Sequence, residues 1–217
     1  HFVPSKNAGE REFLIMKSYP SIQKDPRYGQ TIYAFDKLDG SNIRAEWNSK
    51  KGFWKFGTKN QLIDEKTPVF GEAVGLIRSK YGESLEEIFK KEKQHNVVAF
   101  FEFLGPNSFA GNHAEETHDV VLIDVSFYKK GILPPADFIK LFSGVDIPKL
   151  VYHGTMNKIF EDQVKQGQFE GITFEGVVCK IQDKHASRLF FKVKSNAWLE
   201  KLKSFCKDDS KMFERLS

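Results

Sequence analysis

Four short segments carry side chains whose types and spacing suit work on a charged substrate. The first, Lys37-Leu38-Asp39-Gly40-Ser41-Asn42, ends an apolar strand in a lysine and follows it with Asp-Gly. A lysine so placed is held rigidly at the mouth of a pocket, although Asp-Gly beside a surface lysine is also an ordinary hairpin turn. The second and third are Glu175-Gly176-Val177-Val178-Cys179-Lys180 and, soon after, Phe191-Lys192-Val193-Lys194. Residues two apart on a strand face the same way, so Lys192 and Lys194 project together. Like charges side by side repel, and a solvated edge strand is the usual place for them. Phe190, Phe191 and Val193 argue instead for a largely buried strand. Paired lysines pointing into a cleft are then best explained by a phosphate that needs both. The fourth segment is Phe101-Glu102-Phe103-Leu104-Gly105, an acid inside one of the most apolar strands of the chain. Burying that carboxylate is costly unless it is paired, hydrogen-bonded or near a metal, and a structural salt bridge meets the demand as well as a ligand does.

These groups need strands whose ends converge. Residues 31–37 suit a strand, and Ile43 to Trp47 alternates like a second one after the Gly40-Ser41 turn, with Phe53 to Phe56 as the next antiparallel neighbour. A helix is expected over 70–81 and another over 84–93, where Ser84 can cap and Glu87 completes an S-x-x-E box. Val97 to Leu104 and Val120 to Phe127 read as buried strands, and Pro134-Pro135 opens a helix to about Phe142. Lys149 to His153 is a short strand, and Thr155 starts a helix over 155–166. Thr173 to Ile181 and Arg188 to Lys194 form a hairpin. Asn196 caps a last helix with Trp198, Leu199, Leu202 and Phe205 on its apolar face. Antiparallel strands with helices between them make an α+β domain, and charged residues at the strand ends call for a cleft between two sheets.

Composition sets wider bounds. A chain of 217 residues can bury one substantial core and is short for two, and no linker or internal repeat divides it. The net charge of +4 permits an anionic partner without requiring one. Two cysteines, Cys179 and Cys206, cannot build a disulfide scaffold and point to a reducing compartment. No secretory segment opens the sequence, and no apolar run reaches the roughly 18 residues that a membrane span needs. The expectation is a cytoplasmic protein. The histidines at 113, 118, 153 and 185 lack metal-ligand spacing, and His113, after Gly105, is the one expected nearest a substrate.

In this order the segments resemble the covalent nucleotidyltransferase superfamily of polynucleotide ligases and mRNA capping enzymes. The family pattern K-x-D-G-x-N/R falls on Lys37 to Asn42, and a short following segment on Thr58-Lys59-Asn60. The aromatic-acid-glycine element falls on Phe101 to Gly105, and the apolar strand ending in an acid on Val121-Leu122-Ile123-Asp124. Glu175 to Lys180 matches E-G-V-V-x-K, and Lys192 to Lys194 matches K-x-K, so the likeness runs from about residue 31 to 195. Asparagine five residues after the lysine is similar to the ATP-dependent RNA ligases, above all the RNA ligase 2-like branch found in phages. Capping enzymes and DNA ligases usually carry arginine there.

The resemblance implies a nucleotidyltransferase (ATP-grasp-like ligase adenylation) domain: antiparallel sheets flanked by helices, with the nucleotide cleft between them. It implies an ATP-dependent RNA ligase in which Lys37 takes AMP from ATP with Mg²⁺, or Mn²⁺ in its place. AMP then passes to an RNA 5′-phosphate and a 3′-hydroxyl completes the seal, with DNA as a second candidate substrate. Lys192 and Lys194 are catalytic with Lys37, and they are expected to lower its pKa from the ordinary value of about 10.4. The nucleotide-binding set is Asp36, Leu38, Asn42, Arg44, Lys59, Glu102, Glu175, Lys192 and Lys194. Within it, Glu102 takes the ribose hydroxyl, Glu175 the metal directly or through water, and Asn42 the phosphate or its metal-bound water. Lys59 stands where ligases usually carry arginine, and Arg44, one side-chain period beyond Asn42, is expected to compensate. Val121 and Leu122 stand where an aromatic often stacks on adenine. The expectation is a monomeric single adenylyltransferase domain over residues 1–217, without a C-terminal OB-fold or helical clamp domain. Competing readings are a capping-type guanylyltransferase, a DNA ligase catalytic domain, or an inactive RNA-binding module that keeps the fold.

Overall fold

In the computed structural model, which describes residues 18–106, 116–182, 190–207 and 209–217, the alternating apolar segments pair into two antiparallel sheets. The chain runs through β1 (Thr31–Asp36), β2 (Ser41–Asn48), β3 (Gly52–Gly57), β4 (Leu62–Ile63) and α1 (Gly71–Lys91). It continues with β5 (Asn96–Leu104), β6 (Asp119–Phe127), β7 (Gly131–Ile132), α2 (Pro135–Phe142) and β8 (Leu150–Thr155). Then come α3 (Lys158–Lys165), β9 (Gly176–Ile181), β10 (Phe190–Lys194), α4 (Asn196–Cys206) and α5 (Ser210–Leu216). A four-stranded sheet has the order β10-β9-β1-β8, and a six-stranded sheet the order β4-β3-β2-β5-β6-β7. This is the α+β architecture expected. No helix among the described residues is long and apolar enough to cross a membrane.

The main core lies on one face of the six-stranded sheet. Ile43, Ala45 and Trp47 of β2 and Ala99, Phe101 and Phe103 of β5 pack there against Ile77, Tyr81, Leu85 and Phe89 of α1 and against Phe138 and Phe142 of α2. That leaves Asn42, Arg44, Glu46 and Glu102, one residue out of phase, on the opposite face. The smaller sheet packs Ile32, Ala34, Val177, Phe191 and Val193 against Phe160 and Val164 of α3. Phe100, Ile132 and Phe190, with Tyr19 and Ile22, form a further apolar cluster.

The crossing from β1 to β2 decides the geometry of the cleft. These strands belong to different sheets, so Asp39-Gly40 is no hairpin turn but the link that carries the chain from one sheet to the other. The turn is anchored by the Lys37 N–H, which donates to the Gly176 carbonyl at 2.9 Å. Gly40 is pressed onto β5, where a Cβ would lie 2.4 Å from the Phe103 carbonyl oxygen, so no other residue fits without moving that backbone.

Several boundaries differ from the sequence-based expectation. The helices expected over 70–81 and 84–93 are one helix, α1, running through Gly82. Tyr81, Leu85 and Phe89 continue its buried face at helical spacing, and that burial outweighs the glycine and the local capping signal. Ser84 caps nothing and returns its hydroxyl to the Tyr81 carbonyl. Thr155 ends β8, and Asn157 caps α3 by accepting from the Phe160 N–H at 2.8 Å. Ser195, not Asn196, caps α4, accepting from the Trp198 N–H at 3.1 Å. Phe205 is exposed, and Cys206 takes its place on the buried face with Trp198 and Leu202. The strands β4 and β7 and the helix α5 carry too little periodic signal to be read locally. His113, His185, Arg188 and Leu189 lie outside the described residues.

Candidate nucleotide site

Two adjoining cavities open beside Lys37, and both are lined by Ile22, Lys37, Gly40 and Lys59. One, of about 410 Å³, adds the charged groups Asp39, Glu175, Lys192 and Lys194. The other, of about 450 Å³, is more apolar and adds Tyr19, Phe35, Asp36, Leu38, Asn42, Glu102, Ile123, Pro148, Val178 and Lys180. The nucleophile expected from sequence therefore stands where a polar chamber meets an apolar one.

In the polar chamber Glu175 is the hub. Lys37 Nζ donates to its Oε2 at 2.9 Å, and Lys194 Nζ lies 2.9 Å from its Oε1. Glu175 sits at the start of β9, next to Gly176, whose φ of +129° and contact with the Val193 carbonyl exclude a side chain. The register pairs Lys194 with Gly176 and Lys192 with Val178, which brings both lysines beside Glu175 as the strand alternation predicts. Lys194 Nζ also lies 3.5 Å from the centre of the Trp198 ring. Lys192 is half-buried and has no ion pair among the described residues. Burial, then Lys194, Lys37 and Lys24, pushes its pKa down to about 8. Four lysines, Lys37, Lys59, Lys192 and Lys194, line the chamber against two carboxylates, Asp39 and Glu175, so positive charge is in excess there.

The pKa of Lys37 runs opposite to expectation. Burial alone would lower it, but Glu175, Glu102 and Asp39 outweigh burial and hold the ammonium above the ordinary lysine range. The neighbouring lysines do not win, because a carboxylate oxygen in direct contact acts more strongly than cations farther off. In this arrangement the amine is kept protonated.

In the apolar chamber, burial pushes the Glu102 carboxyl up to about 7, with Lys37 pulling the other way. The Asn42 amide nitrogen Nδ2 is buried without a hydrogen-bond partner among the described residues, which suits a donor that meets a ligand. Asp36 accepts from the Thr173 N–H at 3.0 Å and from its hydroxyl at 2.6 Å. Ile123 and Val178 come from different sheets, β6 and β9, and both line this chamber. Phe35 and Tyr19 line it too, so its apolar walls are part aromatic and part aliphatic, and the residue of β6 that reaches the chamber is Ile123. Val121 and Leu122 do not line it. Arg44 is set apart from the other expected site residues: it lines neither chamber, and its Nη1 donates to Ser18 Oγ at 2.8 Å. Arg44 therefore does not join Lys59 in lining the chambers.

Three contributors escaped the sequence reading. Tyr19 lines the apolar chamber and hydrogen-bonds Asp124, a partner 105 positions away, for which no local signal exists. Lys180, noted only as the end of a motif, binds Asp124 Oδ2 at 2.7 Å and the Ile123 carbonyl at 3.0 Å. Trp198 supports Lys194 from α4, and an amphipathic helix gives no hint of that contact. Among the described residues no group of three or more His, Cys, Asp or Glu could cage a metal.

No family model matches the sequence, and no curated protein matches it either. Solved structures do. The Naegleria gruberi RNA ligase with PPi superposes at a TM-score of 0.64 and 19% identity, covering 87% of this chain and 60% of that one. A lysine-to-alanine mutant of that ligase with ATP and Mn gives 0.63 at 18% identity over 86% of this chain and 59% of that one. A glutamate-to-alanine mutant with AMP and Mn gives 0.62 at 18% over the same shares, 86% and 59%. The chain has the nucleotidyltransferase-type fold of RNA ligases and spans about three-fifths of the length of the ligase chains it matches.

Proposed function

We propose that this chain is the nucleotidyltransferase part of an ATP-dependent RNA ligase and forms a covalent Lys37–AMP intermediate. The observation that carries the reading is the convergence of Lys37 and Lys194 on Glu175, with Lys192 lining the same chamber, at the junction of a polar and an apolar chamber. The apolar chamber takes adenine between Ile123 and Val178, with Glu102 beside the ribose and the free amide of Asn42 toward phosphate. The polar chamber takes the phosphates. The RNA ligase neighbours, with ATP, AMP or PPi, support the same reading.

Nucleophilic attack needs Lys37 as a neutral amine, whereas Glu175 and its neighbours hold it as ammonium. Glu175 must therefore give up Lys37 before the reaction. A single buried carboxylate with Asp39 at the rim suits a hard divalent ion, which keeps most of its water and shares substrate phosphates. Glu175 would hold that ion, and Mg²⁺ or Mn²⁺ there supplies positive charge against the phosphates and against the lysine proton. Lys37 Nζ, once neutral, bonds to the α-phosphorus as the bond to the pyrophosphate oxygen breaks. Lys192 and Lys194 stabilise the charge that builds on the phosphate oxygens. AMP then passes to an RNA 5′-phosphate, and a 3′-hydroxyl displaces it to seal the ends. Asn42, five residues beyond the lysine, supports RNA over DNA.

The test is the intact mass after incubation with ATP and Mg²⁺. A gain of one adenylyl group, absent in Lys37→Ala, is the expected result. Labelling by GTP and not ATP would move the protein to the capping-type guanylyltransferases, and no labelling by either would leave a binding module. Sealing of nicked RNA and nicked DNA then reads the polymer preference.

A further inference from the structure

The β2–β3 hairpin carries an aromatic and basic surface that the proposed chemistry does not use. Residues 47–63 include four lysines, Lys50, Lys51, Lys55 and Lys59, and no acid. The register sets Lys55 opposite Glu46 and Phe53 opposite Trp47, so Trp54 is the extra residue of a bulge. A bulge re-aims a side chain. Phe53 and Phe56 belong to the main core, whereas Trp54 between them stays half-buried at the surface. Lys51 Nζ lies 4.5 Å from the centre of its ring, and Lys55 Nζ 5.8 Å.

Protection of a sheet edge explains only part of this. Of β3, Phe56 and Gly57 alone pair with β4, so residues 52–55 form an edge, and lysines guard an edge against pairing with another chain. A tryptophan does the reverse, because its large apolar ring invites contact. Lys55 is matched by Glu46, 3.6 Å away. Lys50 and Lys51 have no ion pair among the described residues, and neither has Lys59, which lines both chambers. Trp54 precedes Lys59 by five residues, so their Cα atoms are at most about 18 Å apart. The charged surface therefore runs on to the chambers.

A flat ring flanked by cations suits a base stacked on the ring, with the phosphates on either side of it meeting ammonium groups. Bases in a duplex are already stacked on one another, so such a ring favours a single strand. We propose that the β2–β3 hairpin is a docking surface for single-stranded RNA, with one base on Trp54 and phosphates on Lys51 and Lys55, leading the strand toward Lys59 and the chambers. The proposal rests on the RNA ligase reading and names the surface that holds the strand whose end reacts. On binding, Lys51 leaves the ring for a phosphate and exchanges a cation–π contact for a full opposite charge.

The probe is a labelled oligouridine of about 12 nucleotides, with a 5′-hydroxyl so that there is no phosphate to activate, and anisotropy reads its affinity. Trp54→Ala should weaken binding about tenfold, the scale of one lost base stack, and Trp54→Phe should keep most of the affinity. Lys51→Gln should lower the slope of log affinity against log salt by about 0.7, the mark of one lost phosphate contact. Affinity for duplex RNA of the same length should not change in Trp54→Ala. Unchanged single-strand affinity in Trp54→Ala, an equal loss for the duplex, or tighter binding of single-stranded DNA than of RNA overturns the proposal. All three variants should still take AMP from ATP, which also shows that they are folded. Because the probe needs no chemistry, the two readings separate. Strand binding that depends on Trp54 without any Lys37–AMP would sink nucleotidyl transfer alone, and labelling with strand affinity indifferent to Trp54 would sink this proposal alone.

Discussion

Two lysine-carboxylate pairs lie within the length of β9 from each other, and they do opposite things. Glu175, just before the strand, accepts from both Lys37 and Lys194 in a chamber that also holds Lys192, which has no ion pair among the described residues. Lys180, at its far end, meets Asp124 at 2.7 Å, with both side chains almost wholly buried. The second pair is closed in by further bonds: Tyr19 donates to Asp124, and Lys180 also serves the Ile123 carbonyl and lies against the Phe35, Phe138 and Phe190 rings. The first pair has more cation than anion and an open cavity, so its partners can change. The second is balanced and almost wholly buried, although Lys180 also lines the apolar chamber, and it ties β9 to β6 across the two sheets. Residue types are the same in the two places; the charge balance and the surrounding space differ.

That contrast can be broken experimentally. Lys37→Ala should abolish covalent labelling, while urea unfolding shifts by no more than about 1 kcal/mol because Glu175 keeps Lys194. Lys180→Ala should do the reverse: it strands Asp124 in the interior and lowers unfolding free energy by about 3–5 kcal/mol, while folded molecules still label, more slowly because Lys180 lines the apolar chamber. The double change Lys180→Met with Asp124→Asn should recover part of that loss. A fully stable Lys180→Ala protein that cannot label would erase the distinction.

Smaller effects sharpen it. Lys192→Ala or Lys194→Ala should slow single-turnover labelling about 100-fold, as expected for loss of one group that stabilises transition-state charge. Wild-type rates in both would remove the phosphate-clamp argument. The pH dependence is gentler. Lys192 titrates near about 8 because burial and three neighbouring lysines disfavour its charge, so its cation is present below that pH and lost above it. Pyrophosphate affinity measured by calorimetry should fall, by about tenfold in all, as pH rises through that value. In Lys192→Met the step should vanish and the affinity should start lower.

Much of the site was legible because alternation is a local property. β10 shows its lysines two apart among apolar neighbours, and the structure sets both beside Glu175. Glu102 in its apolar strand faces away from the core, as its phase on β5 requires. The failures have one cause. Gly82 and the Ser84 box resemble a helix boundary only while the sheet that buries Tyr81, Leu85 and Phe89 is out of view. Arg44 has the right phase to join Asn42, yet the segment before β1 brings Ser18 to it and it lines neither chamber. The raised pKa of Lys37 depends on the separation of groups 138 positions apart.

By itself the sequence determined which residues could do chemistry and which strand faces they share. Periodicity and residue type suffice for that, since both are read along a short stretch of chain. Only the tertiary structure decided that Asp39-Gly40 crosses between sheets and that Glu175 holds Lys37 protonated. Those facts are distances between segments remote in sequence, and packing of the two sheets sets them.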